Sequence, residues 1–428
     1  MAELSVLIVN YNSWVECAQA IRTLRQDPPT RADGSALPFE CVVVDNASPR
    51  QPPKQMQAVE HELRLLGQDQ GDEQAGRLIR HDENGGYSKG MNLALSHARG
   101  RWILVSNPDV VFGGGLVSKL LRALENDPSI GIAVPKGYWD LDYHGHLPPN
   151  TLPTLGDAWA EALTSYSKRW TWRRAERMVA RWQAVWNATE QQALPMMSGC
   201  LFLVERGYFE SIGRFDERYP LYYEDADLSV SIVKSGRTIT QIPQARLIHF
   251  VNRSGMSDLE TMWERNRVSK EKYYRKWYGL AGRLSLACGR WLVSSKRLER
   301  FRRVPPRPPY TDLGESAERP TLKLGRHCER YLVLMSLDMR FFLAAGIYGS
   351  GDRWTPSDNA FAAFVNANFF FQVFDVSGGK QEHLGTWRFY SLSHLGQVVG
   401  GQAVGGQAVG NQPAADPPDA AEGQQEPT

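Results

Sequence analysis

The stretch "RWILVSNPDVVF", Arg101 to Phe112, decides how the chain is read. An apolar, strand-like run stops at a proline and presents a single carboxylate, Asp109, before the chain turns apolar again. The residue before a proline is excluded from the helical region, so Asn107 is extended and Asp109 falls just past a strand end. In open α/β sheets that edge is where ligands bind. Taken alone, Asp109 is either a metal ligand or a polar turn residue.

Upstream, from Leu4 to about Gly100, the apolar runs "LSVLIVN", "FECVVVDN" and "GRLIRH" alternate with helical patterns over Trp14–Gln26 and Ser88–Ala98. This is the βαβ rhythm of a parallel sheet. Downstream, residues 157–192 read as helical. At 3.6 residues per turn Met178, Val179, Trp182, Val185 and Trp186 share one arc, and Arg173, Arg174, Arg177 and Arg181 another. From Arg265 to Arg307 there are fourteen Lys or Arg against Glu271 and Glu299, an excess of twelve positive charges. Its apolar centre, "LAGRLSLACGRWLV", carries Arg283 and Arg290. Such a segment does not span a bilayer comfortably; it either lies on an anionic surface or forms a solvated basic face.

The proline-rich "VPPRPPYTDLGESAERP" then marks a joint. Residues 321 to 393 are rich in β-formers, and "FFFQVFDVSGGKQEHLGTWRFYSL" reads as two strands about a Ser-Gly-Gly turn. Trp354 and Trp387 there suit core packing better than sugar stacking. The glycine- and proline-rich end has a disordered composition. The expected organisation is therefore a catalytic-size α/β domain over 1–280 with a helical, Trp/Arg-rich insertion at 157–192. A basic segment and linker follow over 281–320, then a β-rich accessory domain over 321–396 and a disordered tail over 397–428.

Composition narrows the function classes. With 49 basic and 47 acidic residues in 428, the chain as a whole is not a nucleic-acid binder. Five widely spaced cysteines without a C-x-x-C pair indicate neither a disulfide framework nor a zinc site, and fit a reducing cytosol. The early run "LSVLIV" is too short for a signal-peptide core, and no run of about 18 apolar residues predicts a membrane span.

Chemistry concentrates at four segments. "VNYNS" ends a buried strand in Asn10, Tyr11 and Asn12, where a ring could lie on a nucleobase or the polar residues could cap the next helix. "VVVDNAS" places Asp45 after an apolar strand, as an acceptor for a base N–H or as a cap. "ENGGYSKGMN" offers glycines for close backbone approach and the cation of Lys89, to be taken with "SNPDVVF". "YYEDADLSVSI" crowds Glu224, Asp225 and Asp227 before an amphipathic helix, either as helix N-terminal charges or as a base poised by like-charged neighbours.

The order of these segments resembles the family 2 glycosyltransferases of GT-A fold, in particular the non-processive branch with bacterial rhamnosyltransferases. The resemblance spans Leu4 to about Gly279, and "SGCLFLVERGYFESIGRFDERYPLYYEDADLSVSI", Ser198 to Ile232, carries it most specifically. It implies a nucleotide-diphospho-sugar transferase sheet and a donor-binding set of Asn10, Tyr11, Asp45, Lys89, Asn107 and Gly199. Asn107 and Asp109 stand at the family's Asp-x-Asp motif, with Asn107 a departure, and Asp109 would hold Mg²⁺ or Mn²⁺ bridging the donor diphosphate. His249 resembles the late histidine of H-x-x-G-x-S, here "HFVNRS" with Asn252 in place of glycine, and would join the metal. Asp225 would deprotonate the acceptor, with Glu224 as the alternative, and direct attack would invert the anomeric carbon. The absence of a Q-x-x-R-W motif speaks against a processive synthase.

The resulting expectation is an inverting, metal-dependent transferase of L-rhamnose from dTDP-rhamnose to a growing polysaccharide or lipid-linked glycan. It would act at the inner face of the plasma membrane, with peripheral contact to anionic lipid and no nucleic-acid partner. Alternatives are a UDP-hexose or UDP-galactofuranose donor, or a carbohydrate-binding protein on an inactive shell of the same fold.

Overall fold

Continuous apolar strands demand cover on both faces, and the chain supplies it with helices. The computed structural model describes residues 2–164, 166–249, 259–301 and 310–392, other than 338, 340, 342, 379 and 380. It divides into two compact units, residues 1–307 and 308–428.

The first unit runs β1 (Leu4–Asn10), α1 (Trp14–Gln26), β2 (Phe39–Asn46), α2 (Pro53–Gln70), β3 (Gly76–His81), α3 (Tyr87–His97), β4 (Trp102–Ser106), β5 (Val110–Val111) and α4 (Leu116–Asn126). It continues β6 (Ile130–Tyr138), β7 (Gly145–His146), α5 (Leu155–Thr164), α6 (Lys168–Trp186), β8 (Gln192–Leu194), β9 (Leu201–Glu205), α7 (Arg206–Ser211), α8 (Glu224–Lys234), β10 (Thr238–His249) and α9 (Leu259–Ser294). The sheet order is β7-β6-β9-β4-β1-β2-β3, with β10 beside β6. β1 is parallel to β2 and β4, whereas β9 inserts antiparallel to β4, so the sheet is mixed.

Every residue of β1, β2 and β4 is buried, which explains their unbroken apolar reading. Alternation along β1 sends Val6 and Ile8 into one core with α1, α2 and α4, and Leu7 and Val9 into a second with α3, α7 and α8. This two-faced mixed sheet is the GT-A fold. The helical stretch near 157–192 becomes α5 and α6, and Val179, Trp182 and Trp186 are buried as their shared arc predicts.

Helix α9 passes through residue 280 with one break: Gly279 adopts φ 55° and ψ −132°, a conformation suited to glycine. Just before the break Tyr273 and Tyr278 both donate to the Pro153 carbonyl, at 3.1 and 3.0 Å, which pins α9 to the entry of α5.

The second unit is β-rich: β11 (Thr311–Ser316), β12 (Leu322–Ser336), β13 (Ala345–Trp354), α10 (Asp358–Ala362), β14 (Ala367–Asp375) and β15 (Glu382–Ser391). Its strand order is β11-β15-β14-β12-β13, and β14 and β15 form the hairpin read from the Ser-Gly-Gly turn. β11 arises inside the stretch read as linker because it adds a parallel edge to β15. Trp354 and Trp387 are both buried, Trp354 with its ring centroid 5.5 Å from that of Phe371. The tail at 397–428, and residues 302–309 of the linker, lie outside the described residues.

Candidate active site

Three parallel strands and one antiparallel strand bring their polar ends to one edge. At the end of β1, Asn10 is fully buried and donates to Asp45 Oδ1 at 3.0 Å, as the register pairing of Asn10 with Asp45 requires. Ser48 donates to the same oxygen at 2.5 Å. Asp45 is thus fixed by two donors with its strand neighbours. Beyond the half-buried Tyr11, Asn12 and Trp14 line an open hollow of about 490 Å³ with Arg50, Gln51, Pro52 and Gln55.

Asn46, the next residue of β2, holds the glycine loop. Its Nδ2 donates to Asn84 Oδ1 at 3.1 Å and to the Gly86 carbonyl at 3.2 Å, and its Oδ1 accepts from Gly85 N at 3.2 Å. Gly86 has φ 86°, and a Cβ there would meet the Pro220 carbonyl oxygen at 2.4 Å. The loop therefore docks against the segment leading to α8 only because residue 86 is glycine. Lys89 is exposed and has no ion-pair partner among the described residues.

The opening question about Asp109 has a topological answer. After β4 the chain turns at Asn107 and Pro108, and β5 pairs antiparallel with the end of β10, opposing Val110 to His249. That register brings His249 Nε2 to 3.0 Å from Asp109 Oδ1, both residues buried, and to 3.4 Å from Asn107 Nδ2. Burial opposes the imidazolium, but the charge and hydrogen bond of Asp109, aided by Cys200, outweigh it and hold His249 well above the ordinary histidine range. Asp109 and His249, the two residues expected to hold a cation, thus lie in contact, with Asn107 of the expected donor-binding set beside them.

A carboxylate oxygen, an imidazole nitrogen and an amide form a donor set that Mg²⁺ or Mn²⁺ accepts. Asp109 Oδ1 and His249 Nε2 face each other across 3.0 Å, a place that a cation can take. A second group, Asp140, Asp142 and His144, brings its ligand atoms within 4.8 Å of one another after β6. Asp140, however, accepts the backbone N–H of Asp142 at 2.9 Å, of His144 at 3.2 Å and of Gly145 at 2.5 Å, which makes it the centre of a turn.

The start of β9 links this pair to the acidic segment. Asn107 N donates to the Cys200 carbonyl at 2.8 Å, and one residue earlier the Gly199 carbonyl accepts from Tyr87 Oη at 3.0 Å. Asp225 faces Gly199, whose backbone N–H favours its carboxylate. Asn150 Nδ2 donates to Asp225 Oδ2 at 3.2 Å and Ala226 N to Oδ1 at 2.8 Å.

The three adjacent acids separate in space. Asp225 is half-buried, and burial raises its carboxyl above the usual range despite those N–H donors. Glu224 is buried, its Oε2 without a hydrogen-bond partner among the described residues, and burial plus the Asp225 charge raise it further. Asp227 instead turns to α9. It accepts from Trp277 Nε1 at 2.7 Å, Lys276 Nζ at 2.7 Å and Tyr219 Oη at 3.0 Å, an anchoring role. Before α8, Tyr222 and Tyr223 both take positive φ, 64° and 68°. Two consecutive bulky residues there cost on the order of 1–3 kcal/mol each, strain held where the two carboxyls must be aimed.

Tyr87, Asn46 and Asn150 were not singled out from the sequence, although Tyr87 and Asn46 lie inside quoted segments. Tyr87 feels Glu224, Cys200, Asp225 and Asp109 together, so it sits at the junction of the two carboxylate groups; burial first, then those charges, raise its hydroxyl well above the ordinary tyrosine range.

Comparison with known proteins follows the same outline. Residues 5–213 match the family model described as "Glycosyl transferase family 2". Over 149 residues the chain is 31% identical to the N-acetylglucosaminyl-diphospho-decaprenol L-rhamnosyltransferase of Mycobacterium tuberculosis, in both strains H37Rv and CDC 1551. That match covers 35% of this chain and 46% of the relative, so the chain matches less than half the length of the curated relatives. Among solved structures it is similar to the Pyrobaculum calidifontis mannosyltransferase PcManGT in complex with GDP-Man and Mn²⁺, at 16% identity and TM-score 0.41, covering 69% of this chain and 75% of that one. It is also similar to S. aureus TarS 1-349 in complex with UDP-GlcNAc, at 15% identity and TM-score 0.40, covering 70% and 75%.

Proposed function

Because the chain's N-terminal unit belongs to glycosyl transferase family 2, we propose that its site transfers a sugar from a nucleoside diphospho-sugar to an acceptor hydroxyl with inversion. The observation that carries this reading is the placement, at one sheet edge, of a hydrogen-bonded Asp109–His249 couple and an Asp225 whose carboxyl burial shifts upward.

The donor nucleoside lies across the ends of β1 and β2, against Tyr11 and the Asn10–Asp45 pair, with Lys89 and Asn107 toward the phosphates. Asp109 and His249 would hold Mg²⁺ or Mn²⁺, which when bound would supply positive charge to offset that of the leaving diphosphate. Asp225 accepts the proton of the acceptor hydroxyl while that oxygen bonds to the anomeric carbon. The bond from that carbon to the diphosphate oxygen breaks, and the nucleoside diphosphate leaves with the electron pair. An upward-shifted carboxyl suits the base role, since proton transfer is most effective when the pKa approaches the working pH. Asn150 and the backbone N–H groups orient Asp225, and Gly199 leaves room beside it.

The sugar we propose is L-rhamnose from dTDP-rhamnose, passed to a lipid-linked glycan. The partial likeness to the mycobacterial rhamnosyltransferase supports it. The test is a panel of dTDP-, UDP- and GDP-sugars assayed for nucleoside diphosphate release with Mn²⁺. Preferential dTDP release from dTDP-rhamnose is expected; preference for a UDP-sugar overturns the donor, and no release with any donor and acceptor overturns the enzyme.

A further inference from the structure

The second half of α9 is apolar on two opposite faces, and only one of them is used. Gly282, Ser285, Leu286 and Gly289 are buried, with Gly289 against Ala158 and Ala162 of α5. Counting 100° per residue, Leu280, Leu284, Ala287 and Trp291 fall together on the far side. All four are exposed, Leu280 at 69%, Leu284 at 55% and Trp291 at 58%. Trp159 and Leu163 of α5, at 39% and 42%, add two further exposed apolar side chains on the neighbouring helix. A helix with an ordinary solvent face would carry charges at these positions.

The charges are at the margin instead. Arg283 and Arg290 lie side by side along one border of the stripe, Arg290 paired with Glu271 at 2.8 Å, and Lys296, Arg297 and Arg300 follow in the 3₁₀ turn after α9, beside Glu299. All five cations are exposed. No helix among the described residues is long and apolar enough to cross a membrane.

We infer that this face is a docking surface for an anionic lipid bilayer. Leu280, Leu284 and Trp291 would enter the acyl boundary with α9 lying in the plane, while Arg283 and the following cations meet phosphate headgroups. The choice of a bilayer over a second copy of the chain rests on charge: a two-fold contact would set the basic border against its own like-charged copy. A membrane of anionic lipid complements both parts of the surface. The inference does not depend on which sugar is transferred.

The experiment is flotation of the intact chain with vesicles of phosphatidylcholine containing about 30 mol% phosphatidylglycerol, against phosphatidylcholine alone, at low and at about 0.5 M salt. The wild type should float at least about tenfold more with the anionic vesicles and be released by salt. Leu284→Gln/Trp291→Gln, which removes only exposed apolar groups, should lower binding about tenfold or more while keeping the wild-type thermal midpoint. Arg283→Gln should lower it about fivefold, with a weaker salt dependence. Equal flotation with both vesicle types, or undiminished flotation of Leu284→Gln/Trp291→Gln, overturns the inference. So does a dimer in light scattering that this double variant dissolves while wild-type protein fails to float, since the face would then join two copies.

Discussion

Two carboxylates at one sheet edge, Asp109 buried and Asp225 half-buried, have opposite surroundings. Asp109 sits 3.0 Å from the imidazole of His249, and its charge and hydrogen bond raise the proton affinity of that ring despite burial. Among the described residues Asp225 has N–H donors and a carboxyl neighbour, Glu224, and burial shifts it upward. We propose that the same side-chain type is thereby set either to hold a cation or to take up a proton. Asp227, two residues from Asp225, follows a third course, because Lys276 and Trp277 satisfy it and make it part of the scaffold. Sequence spacing groups these acids; their partners divide them.

The largest break in this comparison is Asp225→Asn, which keeps shape but removes the basic oxygen. Glycosyl transfer should fall by at least about a hundredfold in steady-state assays with the true acceptor. Glu224→Gln should change KM more than kcat, and a dead Glu224→Gln beside an active Asp225→Asn would exchange their roles. Next in size, Asp227→Ala leaves Trp277 and Tyr219 without their acceptor and Lys276 with Asp216 alone, and should destabilise the first unit by about 3 kcal/mol, read from the urea midpoint. Unchanged stability would return Asp227 to the site.

Smaller effects concern pH. Burial raises the Asp225 carboxyl, so the base-competent form is lost as pH falls through a value above the ordinary aspartate range, and the acid limb of kcat/KM should lie there. Asn150→Leu removes a donor that favours the charged form and should move that limb higher still. Smallest is the stability effect of Glu224. Its carboxyl is raised on folding, so the associated stability is present below the ordinary carboxylate range and lost as pH rises through the raised value. Glu224→Gln should therefore raise the thermal midpoint by about 2 °C or more at alkaline pH, and not at pH below that range.

Much of this was legible in the sequence. β1, β2 and β4 read clearly because strands buried on both faces are continuous apolar runs, and Asp109 was marked by the proline before it. The Asp109–His249 meeting was not legible as a contact. It depends on β5, a strand of two residues with no periodicity, pairing with a segment 140 positions away. Asn46, Tyr87 and Asn150 escaped notice for the same reason, since each acquires its role through a distant carbonyl or carboxylate. The distinction between Asp225 and Asp227 depends on α9, which turns against α8 at positions that no local pattern predicts. The doubly apolar half of α9 could be seen as basic and greasy, but only the packing against α5 shows which face is left over.

The division of labour between Asp109 and Asp225 is tested most directly by calorimetric titration of a nucleoside diphosphate, in the presence of Mn²⁺, into the wild type, Asp109→Ala and Asp225→Asn. The predicted result is near wild-type affinity for Asp225→Asn, and for Asp109→Ala an affinity lower by about 10- to 100-fold with its metal dependence gone. Unchanged affinity in a folded Asp109→Ala, or loss of affinity in Asp225→Asn, would contradict the account.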